Sequence, residues 1–169
     1  MDLVTITIGL TLLALCIVPF LYLQRRLQAN KKKLIQEFNS LAQQRQLNIS
    51  QYDFWEPGYA IGIDTDKKKV LYTRKKDGKE QLLVLNLSDL KQCRVNNLYR
   101  DSESGRTIDL VELSLVFANA KIPEKVFEFY NREVNLNFND ELLLAEKWKN
   151  IINSNLVAKG TPVNIALQK

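Results

Sequence analysis

The stretch "YAIGIDTDKKKVLYTRKKDGKEQLLVLNLSDL", residues 59–90, has a period of two, in which branched or aromatic residues alternate with polar ones. Such alternation is typical of half-buried β-strands. It is interrupted at residues 65–68 and 76–79, and both interruptions have the composition of hairpin turns. The stretch therefore predicts consecutive antiparallel strands joined by tight turns.

The same pattern continues on both sides and predicts about seven strands, at residues 50–55, 59–64, 69–75, 80–86, 91–99, 107–118 and 121–130. It then changes to a helical period in "NDELLLAEKWKNIINSNL", residues 139–156, where Asn139 is a candidate N-cap. Leu144, Trp148, Ile151 and Ile152 form an apolar stripe that can close one end of a curved sheet. The predicted fold class is α+β, with residues 157–169 as a loose tail.

The first part of the chain has a different character. Leu3 to Leu23 are 21 residues without a charge, and at about 1.5 Å per residue a helix of this length crosses the hydrocarbon core of a bilayer. The residues before it are Met1 and Asp2, so a cleaved signal peptide, which begins with a basic region, is not expected. The basic residues that follow the span are Arg25, Arg26, Lys31, Lys32 and Lys33.

Basic residues next to a span stay on the cytoplasmic side. The sequence therefore predicts a single-pass protein of the cell membrane, with its N-terminus outside and its C-terminal domain in the cytoplasm. Arg25, Arg26, Lys31, Lys32 and Lys33 are also candidates for contact with the membrane surface, since each can attract anionic headgroups. Whether they bind lipid or only set the topology stays open.

A connector joins the span to the strands. In "LIQEFNSLAQQRQL", residues 34–47, apolar residues recur at helical spacing, and this predicts an amphipathic helix. The pattern is apolar at one heptad position only, so docking of this helix on its own domain is favoured over dimerisation. The predicted divisions are an anchor at 1–24, a basic juxtamembrane segment with the connector helix at 25–48, the folded domain at 49–156 and the tail at 157–169.

Charge and composition argue against several functions. The chain has 24 basic and 19 acidic residues, but residues 34–169 hold 19 and 18 of them, a balance of +1 that does not favour nucleic acid binding. There is no histidine, which excludes histidine-based catalysis and imidazole metal sites. The six glycines are scattered and form no phosphate-binding loop. We therefore expect no catalytic residue, no metal ion and no cofactor.

Seven predicted antiparallel strands followed by the helix segment "AEKWKNII", Ala145 to Ile152, resemble the pleckstrin-homology (PH) type of barrel with its tryptophan-bearing capping helix. The likeness covers residues 50–155, and an unrelated α+β domain with Trp148 as its largest core residue stays the alternative. Small bacterial single-pass membrane proteins with a helical connector and such a body are similar to the chain as a whole.

The resemblance implies a binding module. Lipid-binding members of this superfamily hold phosphates with basic strands near the first hairpins. This chain has basic residues on two consecutive turns there, namely Lys67, Lys68 and Lys69 at the first and Arg74, Lys75, Lys76 and Lys79 at the second. The two turns lie at opposite ends of one strand, about 20 Å apart at 3.3 Å per residue, so they predict a solvated rim rather than one pocket. The expected function is that of a non-catalytic adaptor or scaffold for an unknown protein partner, with sensing of anionic lipid as the alternative.

Overall fold

The computed structural model describes residues 32–55, 58–76, 79–102 and 105–156, together with residues 13, 15, 17, 22 and 26. The chain divides into two compact units, Met1–Gln46 and Leu47–Lys169. The predicted span, Leu3 to Leu23, lies outside the described residues except at four positions, and the predicted tail lies outside them altogether. Among the residues that are described, no helix is both long and apolar enough to cross a membrane.

In the first unit, residues 32–44 form helix α1. The helix ends where Gln46 takes a positive φ of 57°, a left-handed conformation that commonly terminates helices. The Gln46 amide donates to the carbonyl of Gln43 at 2.8 Å, which closes the last turn. Lys33 and Glu37, one turn apart on this helix, form an exposed ion pair at 3.9 Å.

The described residues of the second unit form seven strands in two antiparallel sheets, followed by a helix, and this confirms the predicted α+β class with a C-terminal helix. The first sheet has the order β1 (Gln51–Trp55), β2 (Tyr59–Asp64), β3 (Lys69–Lys76) and β4 (Lys79–Asn86). A short 3₁₀ turn (Leu87–Asp89) leads to the second sheet, with the order β5 (Leu90–Ser102), β6 (Gly105–Phe117) and β7 (Lys125–Asn131). Helix α2 (Glu141–Asn155) follows.

Hydrogen bonds of one side chain fix the turn between β2 and β3. The Asp64 side chain accepts from the backbone amides of Lys67 and Asn48, both at 2.8 Å, so one buried carboxylate holds the turn and the entry to β1. These bonds lower the pKa of Asp64, although burial opposes the shift more strongly than any single bond favours it. Lys68 completes the turn with a positive φ of 53°.

Two aromatic pairs join the sheets across the core. The Trp55 ring stacks on Phe129 at 4.4 Å, and its Nε1–H donates to the Phe129 carbonyl at 2.8 Å. The Tyr72 ring stacks on Phe127 at 4.4 Å, and its hydroxyl donates to the Glu128 carbonyl at 2.8 Å. Each pair therefore buries apolar rings and satisfies a carbonyl of β7 with one side chain from the first sheet.

Helix α2 packs on the second sheet. Ala145, Trp148 and Ile152 are fully buried on its inner face, and the Trp148 indole donates to Asp53 of β1 at 2.8 Å. The predicted stripe is thus correct at its centre. The predicted cap is wrong: the N-cap is Asp140, because the Asn139 amide is bound by the Glu141 carboxylate at 2.6 Å and the helix begins one residue later.

The C-terminal half of α2 also covers the outer edge of β5. The Asn153 carboxamide accepts from the Cys93 amide and donates to the Cys93 carbonyl, both at 2.9 Å. These are the two bonds that a neighbouring strand would make, so Asn153 replaces a strand partner at this point of the edge.

Candidate functional site: an arginine-lined groove

A shallow groove lies where β7 ends beside β5 and β6, which continue as a paired ribbon to Ser102 and Gly105. Leu98 of β5 faces Leu110 of β6, and Leu110 faces Asn131, the last residue of β7. The loop after β7 bends back on itself through bonds from the Val134 and Asn135 amides to the Asn131 carbonyl, both at 3.0 Å. This turn brings loop residues up to Leu136 beside Leu98 of β5 and Leu110 of β6.

A β-bulge shapes the groove. Leu98 pairs with Leu110 but Tyr99 pairs with Ile108, so Asp109 is an extra residue on β6. A bulge redirects the side chains around it. Here it turns Asp109 towards Arg100 and Arg132.

The groove has a volume of about 460 Å³, which is within the range of small-ligand sites. We call it the arginine groove. Its lining consists of three leucines and five polar residues, namely Leu98, Leu110, Leu136, Arg100, Asp109, Asn131, Arg132 and Glu133.

One carboxylate lies between the two arginines. Asp109 Oδ2 is 2.8 Å from Arg100 Nε, and Asp109 Oδ1 is 3.4 Å from Arg132 Nη1. The Arg132 amide also donates to the Asp109 carbonyl at 2.9 Å. The three side chains together carry a charge of +1, and within the described part of the chain each guanidinium contacts only Asp109. A guanidinium has five N–H donors, so most of them face solvent.

The apolar side of the groove is exposed. Leu98 is 60% exposed and Leu136 is 80% exposed, the largest value for any large apolar side chain in the described ranges. Burying a leucine is worth about 1.5–3 kcal/mol, so a partner that covers Leu136 gains free energy from that contact alone.

A partly buried polar network adjoins the groove through Asn131, which lines it. Asn131 donates to Glu128 Oε2 at 3.2 Å, and Glu128 Oε1 accepts from the Tyr59 hydroxyl at 2.7 Å. Arg74 Nη2 lies 2.8 Å from the same Glu128 oxygen. The arginine and glutamate side chains are only 17% and 11% exposed. The expectation that Arg74 belongs to a solvated rim is therefore wrong, because it pairs with a carboxylate from the distant strand β7.

Glu112 lies beside this network. It is directly opposite Glu128 across β6 and β7, and it is half-buried. Burial raises the pKa of Glu112, and the Glu128 carboxylate raises it further, whereas the Arg74 charge lowers it. Two carboxylates in one cross-strand pair repel each other, and Arg74 limits that cost.

The predicted membrane-surface residues belong to the other unit. Arg25 and Lys31 lie outside the described residues, whereas Arg26, Lys32 and Lys33 are helical and exposed. Of the lysines in the turn between β2 and β3, Lys67 is exposed, and Lys68 is half-buried with its Nζ 3.3 Å from the Asn155 carbonyl oxygen.

Cys93 is almost fully buried. It is 1% exposed, and burial raises the pKa of its thiol to about 12, against a smaller opposing effect of the Lys149 charge. Among the described residues, no three side chains of histidine, cysteine, aspartate or glutamate come together as a metal site.

No protein-family model, no curated protein and no solved structure matches the chain. Functional inference therefore depends on the geometry and charge of the arginine groove itself.

The groove is not among the sites expected from the sequence. The sequence does hold one signal: the apolar alternation changes phase within β6, from Ile108 and Leu110 to Val111, Leu113 and Leu115. Such a change of phase is typical of a bulge, and the bulge of the structure, at Asp109, lies next to it.

Proposed function

We propose that the chain is a single-pass membrane protein whose cytoplasmic domain is a non-catalytic adaptor or scaffold, and that it holds a protein partner in the arginine groove. The exposure of Leu136 beside two arginines carries this proposal. Arginine is enriched at protein interfaces and among the residues that contribute most to binding, and an exposed leucine beside it gains free energy when a partner covers it.

A PH-like module is the finer description that we propose for the domain. It is supported by the strand order, four strands in one sheet and three in the next, and by the helix that follows with Trp148 fully buried. Domains of this type present loops and strand ends on a rigid sheet framework, and the arginine groove lies at the end of β7 and the loop that follows it.

Membrane anchoring is part of the proposal and depends on the sequence. The uncharged stretch from Leu3 to Leu23 and the five basic residues after it support an N-terminus outside and a domain inside the cell. The native chain should pellet with membranes and resist extraction with alkaline carbonate. Recovery of the full-length chain in the soluble fraction would refute the anchor.

The function is tested by affinity purification of the full-length chain in mild detergent from its own membranes. Leu136→Asp places a charge in the groove, and Leu143→Asp is the matched control, because Leu143 is 70% exposed on α2 and does not line the groove. Both side chains face solvent, so neither change should unfold the domain.

The expected result is a protein that copurifies with the wild type and with Leu143→Asp and is lost with Leu136→Asp. If both variants retain the same proteins, or if nothing copurifies specifically with the wild type, the groove does not hold a partner.

Sensing of anionic lipid is the second candidate. The exposure of Arg26, Lys32 and Lys33 favours it, since each can attract a headgroup. With the full chain in vesicles, phosphatidylserine should protect Lys32 and Lys33 from an amine-acylating reagent, and salt should remove the protection because it screens charge within about 10 Å at 0.1 M. Equal acylation in vesicles with and without phosphatidylserine would exclude this role.

A further inference from the structure

We propose that the arginine groove binds an extended peptide segment of the partner through an aspartate or glutamate side chain that has a branched apolar residue two positions away. This proposal rests on the proposed function and adds the chemistry of the partner. The carboxylate lies against Arg100 and Arg132, and the apolar neighbour packs on Leu98 and Leu136.

The arrangement of donors favours a carboxylate. Asp109 takes one contact from each arginine and holds both guanidiniums at the same end of the groove. Arg100 is 65% exposed and Arg132 is 40% exposed, so their remaining N–H groups are accessible. Planar guanidiniums bind carboxylates through two parallel hydrogen bonds, which are about twice as strong as bonds between neutral groups.

The leucines define the second half of the recognition. Leu98 lies two residues before Arg100 on β5 and points to the same side of the sheet, at a distance of about 7 Å along the strand. In an extended peptide, an acidic and an apolar side chain two residues apart have the same separation. A peptide of this pattern can therefore place its carboxylate at the arginines while its apolar side chain covers a leucine.

The charge of the groove distinguishes this ligand from a membrane. Arg100 and Arg132 are balanced by Asp109 and by the exposed Glu133, so the groove is neutral overall. A neutral surface gains no long-range attraction to an anionic bilayer or to nucleic acid. A single carboxylate needs only the local donors, and Glu133 at the rim would repel a ligand with many negative charges.

The test uses the ¹⁵N-labelled full-length chain in detergent micelles and observes the Nε–H signals of its arginines by NMR. The probe is an amidated octapeptide, Ser-Gly-Leu-Ser-Glu-Leu-Gly-Ser, and the matched probe has glutamine in place of glutamate. Arg132→Gln removes one guanidinium. Arg94→Gln is its control, since Arg94 is an arginine of β5 that pairs with Glu124 outside the groove.

The expected result is that the glutamate peptide shifts the Arg100 and Arg132 signals and binds at least about tenfold more tightly than the glutamine peptide, as a charge-assisted pair should. Arg132→Gln should abolish this preference, and Arg94→Gln should keep it. Leu136→Ser should weaken both peptides by the same factor, because it removes the apolar contact only.

Equal binding of the two peptides, or no shift of the arginine signals, would overturn the inference. So would arginine signals that respond to phosphatidylserine in the micelles and not to the peptide, a result that points to a lipid ligand. If Leu136→Asp still loses the partner in the affinity purification, the adaptor function stands while the carboxylate chemistry fails. If Leu136→Asp also retains the partner, both the adaptor function of the groove and its carboxylate chemistry fail.

Discussion

Replacing Asn153 with alanine removes two hydrogen bonds at one point of the fold. The Asn153 carboxamide pairs with the amide and the carbonyl of Cys93, and Cys93 is 1% exposed. After the substitution, neither backbone group has its side-chain partner, and water replaces that partner only in part because the site is partly buried. The helix itself is not weakened, since alanine favours a helix more than asparagine does.

The size of the effect follows from the two unpaired groups. A buried donor or acceptor without a partner costs about 1–3 kcal/mol, so Asn153→Ala should lower the free energy of unfolding by about 2–4 kcal/mol. For a domain of this size the corresponding drop in melting temperature is about 8–16 °C. Asn155→Ala is the matched control, because the side-chain amide of Asn155 donates only to the Ile151 carbonyl of its own helix, at 2.9 Å. Its effect should not exceed about 1 kcal/mol.

Two measurements on the full-length chain in detergent check this reasoning. Thermal unfolding followed by near-ultraviolet circular dichroism gives the stability of both variants. Hydrogen exchange gives the protection of the Cys93 amide, which should fall in Asn153→Ala and stay unchanged in Asn155→Ala. Equal destabilisation by the two variants, or an unchanged Cys93 amide, would show that Asn153 does not replace a strand partner.

Three further outcomes are expected. Tyr72→Phe keeps the ring and leaves the Glu128 carbonyl without its donor, so denaturant titration should show a loss of about 1–2 kcal/mol; an unchanged midpoint would argue against the bond. Because the pKa of Glu112 is raised, the folded chain holds the proton of the Glu112 carboxyl group more tightly than the unfolded chain does. The ionised side chain therefore lowers the free energy of unfolding at pH values above the ordinary carboxyl pKa of 4.5. Glu112→Gln should therefore stabilise the domain at neutral pH, by up to about 1 kcal/mol, with no gain in acid where both states are protonated; equal gains at both pH values would refute this. In a Cys16→Ala chain at pH 8, native Cys93 should react with a maleimide about a thousandfold more slowly than the unfolded chain, as expected when a thiol pKa rises from 9.0 to about 12; comparable rates would mean that the thiol is accessible.

The strands of the second unit could be predicted from the sequence because their signals are local. Period-two alternation places β2 at the predicted residues 59–64, and turn residues separate it from β3. The prediction fails where local chemistry interrupts the alternation. Strand β7 begins at Lys125 rather than at residue 121, because the Asn119 side chain binds the Lys121 amide in a turn and Pro123 cannot donate to a strand ladder.

The arginine groove could not be predicted in the same way, since its parts come together only through pairings that are distant in sequence. Arg100 and Arg132 look like ordinary surface charges until Asp109 is displaced by a bulge and placed between them. Arg74 looked like part of a lysine-rich rim because neighbouring residues are basic, yet its partner Glu128 belongs to β7. Composition and periodicity carry no information on such pairs.

Site-specific photo-crosslinking in membranes is the sharpest test of the groove as a docking surface. A benzophenone amino acid is placed at Leu136 in one full-length chain and at Leu143 in another, and both positions are exposed. If the groove holds a protein, irradiation should give one discrete adduct of higher mass from position 136 and none from position 143. Adducts to lipid alone at position 136, or the same protein adduct from both positions, would show that the partner does not bind in the groove.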